Sequence, residues 1–266
     1  MKKKTILRIG LFTLRIISMI VIVIVVNLRH KQTQIKSIQV NIDYNKNDTL
    51  VVNKEIEELI HKSFGDLRGK TIEEIDLRSI EKEIYKNPFA SKVEGYIDYR
   101  GNMHVKIKQR EPLFRVCDNK GNQFYIDKEG NRIPLSKNGT HNVIVANGFI
   151  RVDKNAENPV VSITKNEKEL IESGTDLEKI YYLANYITKH SFFKNQIDQI
   201  YLTSEREFEL VPELGSQIIL LGNIDRLEEK LENLFYLYKD GFYTTGWNYY
   251  KAINLKFENQ VVCTKY

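Results

Sequence analysis

The sequence predicts an α+β protein held behind a single N-terminal transmembrane helix. Three observations predict it. A 20-residue, largely apolar run, Ile9 to Leu28, carries a single charge, Arg15. Residues 35–111 switch between strand and helix periods in the order β-α-α-β-β, and residues 113–266 interleave short strand-like runs with amphipathic helices.

The first 42 residues hold eight Lys or Arg and no acid, with Lys2, Lys3, Lys4 and Arg8 ahead of the apolar run. At about 1.5 Å per residue such a run reaches roughly 30 Å, the thickness of a bilayer's hydrocarbon core. A surface helix would show a polar stripe, and Ile16 to Val26 show none. A cleaved signal peptide would end in small residues, whereas this chain reads Val25-Val26-Asn27-Leu28-Arg29. The expectation is an uncleaved span over 9–28, with Ile16, Ile20, Val23 and Val26 in the bilayer and Arg15 snorkelling toward the N-terminal interface. Residues 1–8 form a short cytoplasmic tail, and the charge bias makes this a type II protein of the inner membrane.

The chain carries a net +5, yet residues 43–266 hold 32 Lys and Arg against 35 Asp and Glu. The body is slightly acidic, so no nucleic-acid partner is implied. Cys117 and Cys263 are too few for a disulfide scaffold and are expected as buried free thiols.

The extracytoplasmic part divides near Pro112. In the first piece Ile35, Ile38, Val40 and Ile42 mark a half-buried strand. Asn53 is the expected N-cap of a helix with Ile56, Leu59, Ile60 and Phe64 inward and Glu58 four residues before Lys62. Asp76 caps a second helix bearing Leu77, Ile80 and Ile84, and Pro88 stops it. A hairpin follows: Val93, Gly95, Ile97 and Tyr99 alternate with polar positions, Arg100-Gly101-Asn102 turns, and Met103, Val105 and Ile107 return.

In the second piece strand-like runs occur at Leu113–Cys117, Gln123–Asp127, Val143–Ala146, Ile197–Leu202, Glu207–Val211, Gln217–Leu221, Ala252–Phe257 and Val261–Thr264. Helices are expected near Asn166–Glu172 and Asp176–Lys189. Asp225 and Glu228 suggest a capping box opening a third helix, with Leu227, Leu231, Leu234 and Tyr238 inward. From the residues alone this piece is α+β without internal repeats.

Catalytic chemistry is not evident. The five histidines fall singly, without metal-ligand spacing or a nucleophile elbow. His61 and His190 sit late in helices, where a cation suits the dipole. Asp118-Asn119-Lys120-Gly121 and Asp127-Lys128-Glu129-Gly130 are hairpin turns rather than calcium loops. No enzyme, metal or cofactor is expected. Phe235, Tyr236, Tyr238, Phe242, Tyr243, Trp247, Tyr249 and Tyr250 crowd into 16 residues, partly as core and partly as flanks of an interaction surface.

Leu67-Arg68-Gly69-Lys70-Thr71-Ile72, Asn87-Pro88-Phe89 and the closing Gln109-Arg110-Glu111-Pro112 resemble, in that order, the FtsQ/DivIB family of bacterial division proteins. Tyr125-Ile126-Asp127-Lys128-Glu129-Gly130 and Ile253-Asn254-Leu255-Lys256-Phe257 extend the resemblance, with Asn254 where the family has Asp. It implies a POTRA domain over 35–111 and a β domain over 113–266, the latter a curved, mostly antiparallel sheet with helices on one face. It also implies a non-enzymatic scaffold of the divisome at the septum whose partners are FtsB-like and FtsL-like division proteins, with the POTRA domain docking other divisome membrane proteins. Strand addition at the last hairpin would present Tyr250, Ala252, Asn254, Lys256, Val262 and Thr264 to them. A membrane-anchored POTRA scaffold in envelope assembly or secretion is the alternative.

Overall fold

The computed structural model of the chain describes residues 2–44, 49–153, 156–242, 246 and 249–266. It forms two compact units, Met1–Gln109 and Arg110–Tyr266.

The first unit opens with helix α1, Lys2–Lys31. Among the described residues no helix is long and apolar enough to cross a membrane. The side chains of Ile9, Gly10, Leu11 and Leu28, part of the expected span, lie outside the described residues. From Phe12 to Asn27 every side chain is exposed, with Ile16, Ile20, Val23 and Val26 at 45, 52, 58 and 60%.

Strand β1 (Ser37–Asp43), helices α2 (Asn53–Phe64) and α3 (Leu77–Tyr85), and strands β2 (Ala90–Ile97) and β3 (Asn102–Gln109) follow, with a single 3-10 turn at Ile72–Glu74. The sheet order is β1-β3-β2, with β1 parallel to β3 and β2 antiparallel to it. Val40, Ile42, Met103, Val105 and Ile107 line one face and bury against Ile56, Ile60, Ile80 and Ile84 of the two helices. This is the POTRA-like arrangement. Asp76 caps α3, accepting from Arg78 N and Ser79 N. Asn53 does not cap α2. It is the first helical residue, Val52 holds the cap position without a side-chain bond, and Lys54, not Lys62, pairs with Glu58 at 3.9 Å. Tyr99 leaves the inward series because the strand ends at Ile97, and it stands 75% exposed in the turn.

The second unit contains β4 (Pro112–Cys117), β5 (Gln123–Asp127), β6 (Arg132–Ile133), β7 (Ile144–Gly148), α4 (Glu167–Ser173), α5 (Asp176–Lys189), β8 (Ile197–Leu202), β9 (Phe208–Pro212), β10 (Ile218–Gly222), α6 (Leu227–Tyr236), β11 (Tyr250–Asn254) and β12 (Val262–Lys265). The nine strands lie in the order β12-β11-β10-β9-β8-β7-β4-β5-β6. Five neighbouring pairs are antiparallel; β4–β7, β7–β8 and β10–β11 are parallel. Register puts Phe114 beside Ile144, Ile200 beside both Ala146 and Leu210, and Ile219 beside both Leu210 and Ile253. These side chains share one core with Leu177, Ile180, Leu183, Ala184 and Ile187 of α5 and Leu227, Leu231 and Leu234 of α6, so the helices cover one face of the sheet.

Asp225 does not open α6. Arg226 occupies the cap in the left-handed region (φ 51°), and Asp225 instead accepts from the buried Lys230 ammonium at 3.0 Å. β11 ends at Asn254 rather than Phe257, whose side chain is exposed. Cys117 and Cys263 are free but only half-buried, one on β4 and the other on β12, and burial pushes the Cys263 thiol up. His190 is the C-cap of α5, and its Nδ1 accepts from the N–H groups of Phe192 and Phe193 at 3.3 and 3.4 Å.

One turn recurs three times as Asp-x-x-Gly-Asn: Asp98 to Asn102, Asp118 to Asn122 and Asp127 to Asn131. In each the Asp carboxylate accepts from the N–H two residues on and from both the N–H and the side-chain amide of the Asn, while Gly takes φ of 80–87°. Asp127 does more, because its fully buried carboxylate also accepts from Arg110 at 2.8 Å. Asp127→Ala strands that guanidinium, and chemical denaturation is expected to show the second unit destabilised by about 3 kcal/mol.

Glu178 on α5 accepts from Lys165 and from the Thr175 N–H and hydroxyl. Burial raises its pKa, but these bonds outweigh burial and hold it below 4.5. A carboxylate depressed in the folded state contributes stability that is complete above its unfolded value and lost as pH falls through the folded one. The thermal midpoint of the second unit is therefore expected to fall on acidification below about pH 4.3, and to fall less steeply in Glu178→Gln.

Candidate partner-binding edge

The two ends of the nine-stranded sheet are treated differently. β6, at one end, is two residues long, and Asn158 takes the place of a neighbouring strand. Its Oδ1 accepts from Arg132 N at 2.8 Å and its Nδ2 donates to Arg132 O at 3.4 Å. Val161 N continues the cover by donating to Gly130 O. β12, at the other end, pairs only with β11, and among the described residues no strand lies on its outer side. An uncovered edge offers a row of backbone donors and acceptors to an extended segment.

Register fixes which side chains surround that edge. Ile218, Ala252 and Thr264 form one row across β10, β11 and β12; Leu220, Asn254 and Val262 form the next. These rows lie on the face opposite the helices, since Ile219, Ile253 and Cys263 alternate with them and belong to the core side. Val262 is 41% exposed, and Thr264 is exposed. Four of the expected contact residues, Ala252, Asn254, Val262 and Thr264, thus come together on one face.

The other two do not join them. A register shift between Tyr250 and Ala252 turns Tyr250 toward the core, where its ring lies 6.0 Å from that of Phe242. Lys256 lies beyond the end of β11, and its ammonium donates to Glu207 at 2.6 Å. Its stem covers Gly222, where a Cβ would fall 2.9 Å from Lys256 Cγ. Asn254 Oδ1 accepts from Lys256 N at 3.0 Å, an Asx turn that ends the strand before the turn at Glu258-Asn259 (Asn259 φ 56°).

Arg226 ties this hairpin to the helices. Its guanidinium lies 3.5 Å from both Glu229 on α6 and Glu258 in the hairpin turn and donates to Lys256 O, while its N–H donates to Glu167 on α4. At the far end of β12 the Lys265 ammonium sits 4.8 Å over the Tyr249 ring, and its hydrogen bond to Tyr249 raises its pKa. Ile218 and Tyr266 flank the same edge, and sequence reasoning had not selected them. Tyr266 OH lies 2.7 Å from Ser216 Oγ. The apolar run Ile218–Leu221 carries the missed signal: a strand apolar on both faces has something for each to meet. Tyr243 and Trp247 of the aromatic cluster lie outside the described residues.

Comparison with known domains matches the same division of the chain. A POTRA-like domain matches residues 33–108. The FtsQ/DivIB C-terminal related domain matches residues 111–264, more than half of the chain. The chain belongs to the FtsQ/DivIB family. A search of the curated proteins found no match. FtsQ/DivIB and POTRA-like domains are scaffolds rather than catalysts, and a divisome scaffold role in general follows. Among the described residues no cluster of His, Cys, Asp or Glu is placed to hold a metal ion.

The contrast between the two ends of this FtsQ/DivIB sheet is testable at Asn158. Asn158→Ala uncovers β6, and a loss of about 1 kcal/mol is expected. Analytical ultracentrifugation is expected to show stronger concentration-dependent self-association in the variant.

Proposed function

We propose that this protein is a single-pass, type II membrane scaffold of the bacterial divisome. In this reading it captures an extracytoplasmic segment of an FtsB-like protein, with its FtsL-like companion, as an added strand on β12. Capture would hold the septal cell-wall machinery at the inner membrane. The observation that carries the reading is the open β12 edge on a sheet whose opposite edge is closed by Asn158.

Two further observations support it. The outer face beside β12 presents Ile218, Ala252, Val262 and Thr264, an apolar and uncharged strip suited to alternate side chains of an added strand. The 30-residue helix α1, about 45 Å long, exposes large apolar side chains, continuously from Met19 to Val26, that water does not favour. Its basic, acid-free beginning fits a cytoplasmic tail.

The structural duties of Asn254 and Lys256 make Val262 and Thr264 the better probes. Val262→Glu with Thr264→Glu places two carboxylates on the docking edge without touching the Asn254 turn, the Lys256–Glu207 pair or the Arg226 contacts. Capture of an FtsB-like extracytoplasmic segment by the full chain in detergent is expected to weaken by at least about tenfold, ~1.4 kcal/mol, with the thermal midpoint unchanged. Undiminished capture by that variant rejects strand addition at β12. Co-purification of envelope-assembly or secretion components in place of division proteins supports the alternative scaffold role.

A further inference from the structure

We propose that the first unit seats on the membrane surface through a built rim that contacts anionic phospholipid headgroups. The rim comprises the β2–β3 turn, with Tyr99 and Arg100 at its tip, and the Arg68–Lys70 loop. The inference rests on α1 being the membrane span.

Only Gln32 and Thr33 separate the end of α1 from the first pairing of the body, the bridge of Gln34 with Thr71. The chain is then clamped from both sides. Ile35 N donates to Lys70 O, Gly69 N to Ile35 O and Ile72 N to Thr33 O, all at 2.9–3.0 Å. Lys36 N donates to Gly101 O at 2.8 Å, and a Cβ on Gly101 would fall 2.2 Å from Gln34 O. Lys31 adds an ion pair with Glu73 at 3.6 Å. At most about 11 Å of extended chain separates Lys31 from Gln34, so both loops are held beside the point where α1 ends. The polar layer of a bilayer is about 5–7 Å thick on each side, within reach of long side chains from such loops.

The chemistry of the rim suits that layer. Tyr99 is 75% exposed, and the Arg100 guanidinium lies over its ring at 5.3 Å with Nε donating to the Tyr99 hydroxyl. Paired aromatic and basic side chains of this kind favour the membrane interface. Lys36, Arg68 and Lys70 are exposed around the same clamp. The acids among them are bound into local structure: Asp98 accepts from the N–H groups of Arg100 and Asn102, Asp66 from Arg68 N, and Glu74 from the Thr71 N–H and hydroxyl. Glu73 is paired with Lys31 and Lys70 Nζ donates to Phe64 O at 3.3 Å, which leaves Lys36, Arg68 and Arg100 as the cations most open to a headgroup.

The test uses the full chain reconstituted in phosphatidylcholine vesicles with or without phosphatidylglycerol, carrying Tyr99→Trp in a Trp247→Phe background. Resistance to alkaline extraction reads the span separately; an extractable chain rejects the membrane-span reading and, with it, the rim. In a resistant chain, emission from the indole at position 99 is expected to shift to shorter wavelength and to be quenched by brominated lipid in the anionic vesicles. Charge reversal at Arg68, Lys70 and Arg100 is expected to abolish that quenching, each basic side chain near an anionic surface being worth about fivefold in partitioning. A matched Tyr236→Trp probe in the second unit supplies the baseline. Quenching of the Tyr99→Trp probe no greater than that baseline in a resistant chain overturns the proposal and leaves the span intact.

Discussion

A sheet of nine strands has two ends, and each leaves a row of backbone donors and acceptors that something has to satisfy. The second unit meets this constraint in opposite ways. At β6 the strand is cut to two residues and the amide of Asn158 completes both of Arg132's backbone bonds. At β12 the strand is short, exposed and unpaired on its outer side among the described residues. A protein exposed to uncontrolled strand addition would gain by closing both ends. Closing one and leaving the other open is the pattern expected where addition of a particular segment is useful.

An open edge serves recognition only if its position is fixed, and the interactions around the last hairpin do this. Core packing of Ile253 on β11 and of Leu255 just beyond it holds the inward face, and parallel pairing to β10 holds the inner edge, extended by Leu255 N donating to Leu220 O. Arg226 bridges the hairpin turn to α6 and α4, and Lys256 reaches across Gly222 to Glu207 on the loop before β9. The residues that look most available for recognition by charge are therefore the ones that set the hairpin's place. The uncharged Val262 and Thr264 stay exposed beside the open edge.

Much of this was legible in the sequence, and what was not has physical causes. Hairpin turns announce themselves because Asp, Gly and Asn each supply a distinct local need, and inward faces are readable where alternation is clean, as from Met103 to Ile107. The order of strands was not readable, since β10 pairs in parallel with β11 across α6 and no local pattern encodes such a partner. Tyr250 was assigned to the wrong face because one bulge inverts the period of two. β6 is too short to leave a period at all. Arg226 in a left-handed cap is equally invisible, because its conformation is imposed by the contacts it makes rather than by its own preference.

The residues that carried the family resemblance turn out to be closures rather than contact points. In Gln109-Arg110-Glu111-Pro112, Gln109 Oε1 accepts from the buried N–H groups of Leu50 and Val51 in the first unit. Arg110 and Glu111 bind Asp127 and Lys128 in the β5–β6 turn of the second. Asn254 belongs to the same class. Its Oδ1 accepts from Lys256 N to end β11, a task a carboxylate performs as well. Asn254 therefore closes the turn without placing a charge on the face beside β12, whose other members, Ile218, Leu220, Ala252, Val262 and Thr264, carry none. An added strand meeting this face needs no cation at that position, and apolar or small polar side chains satisfy it.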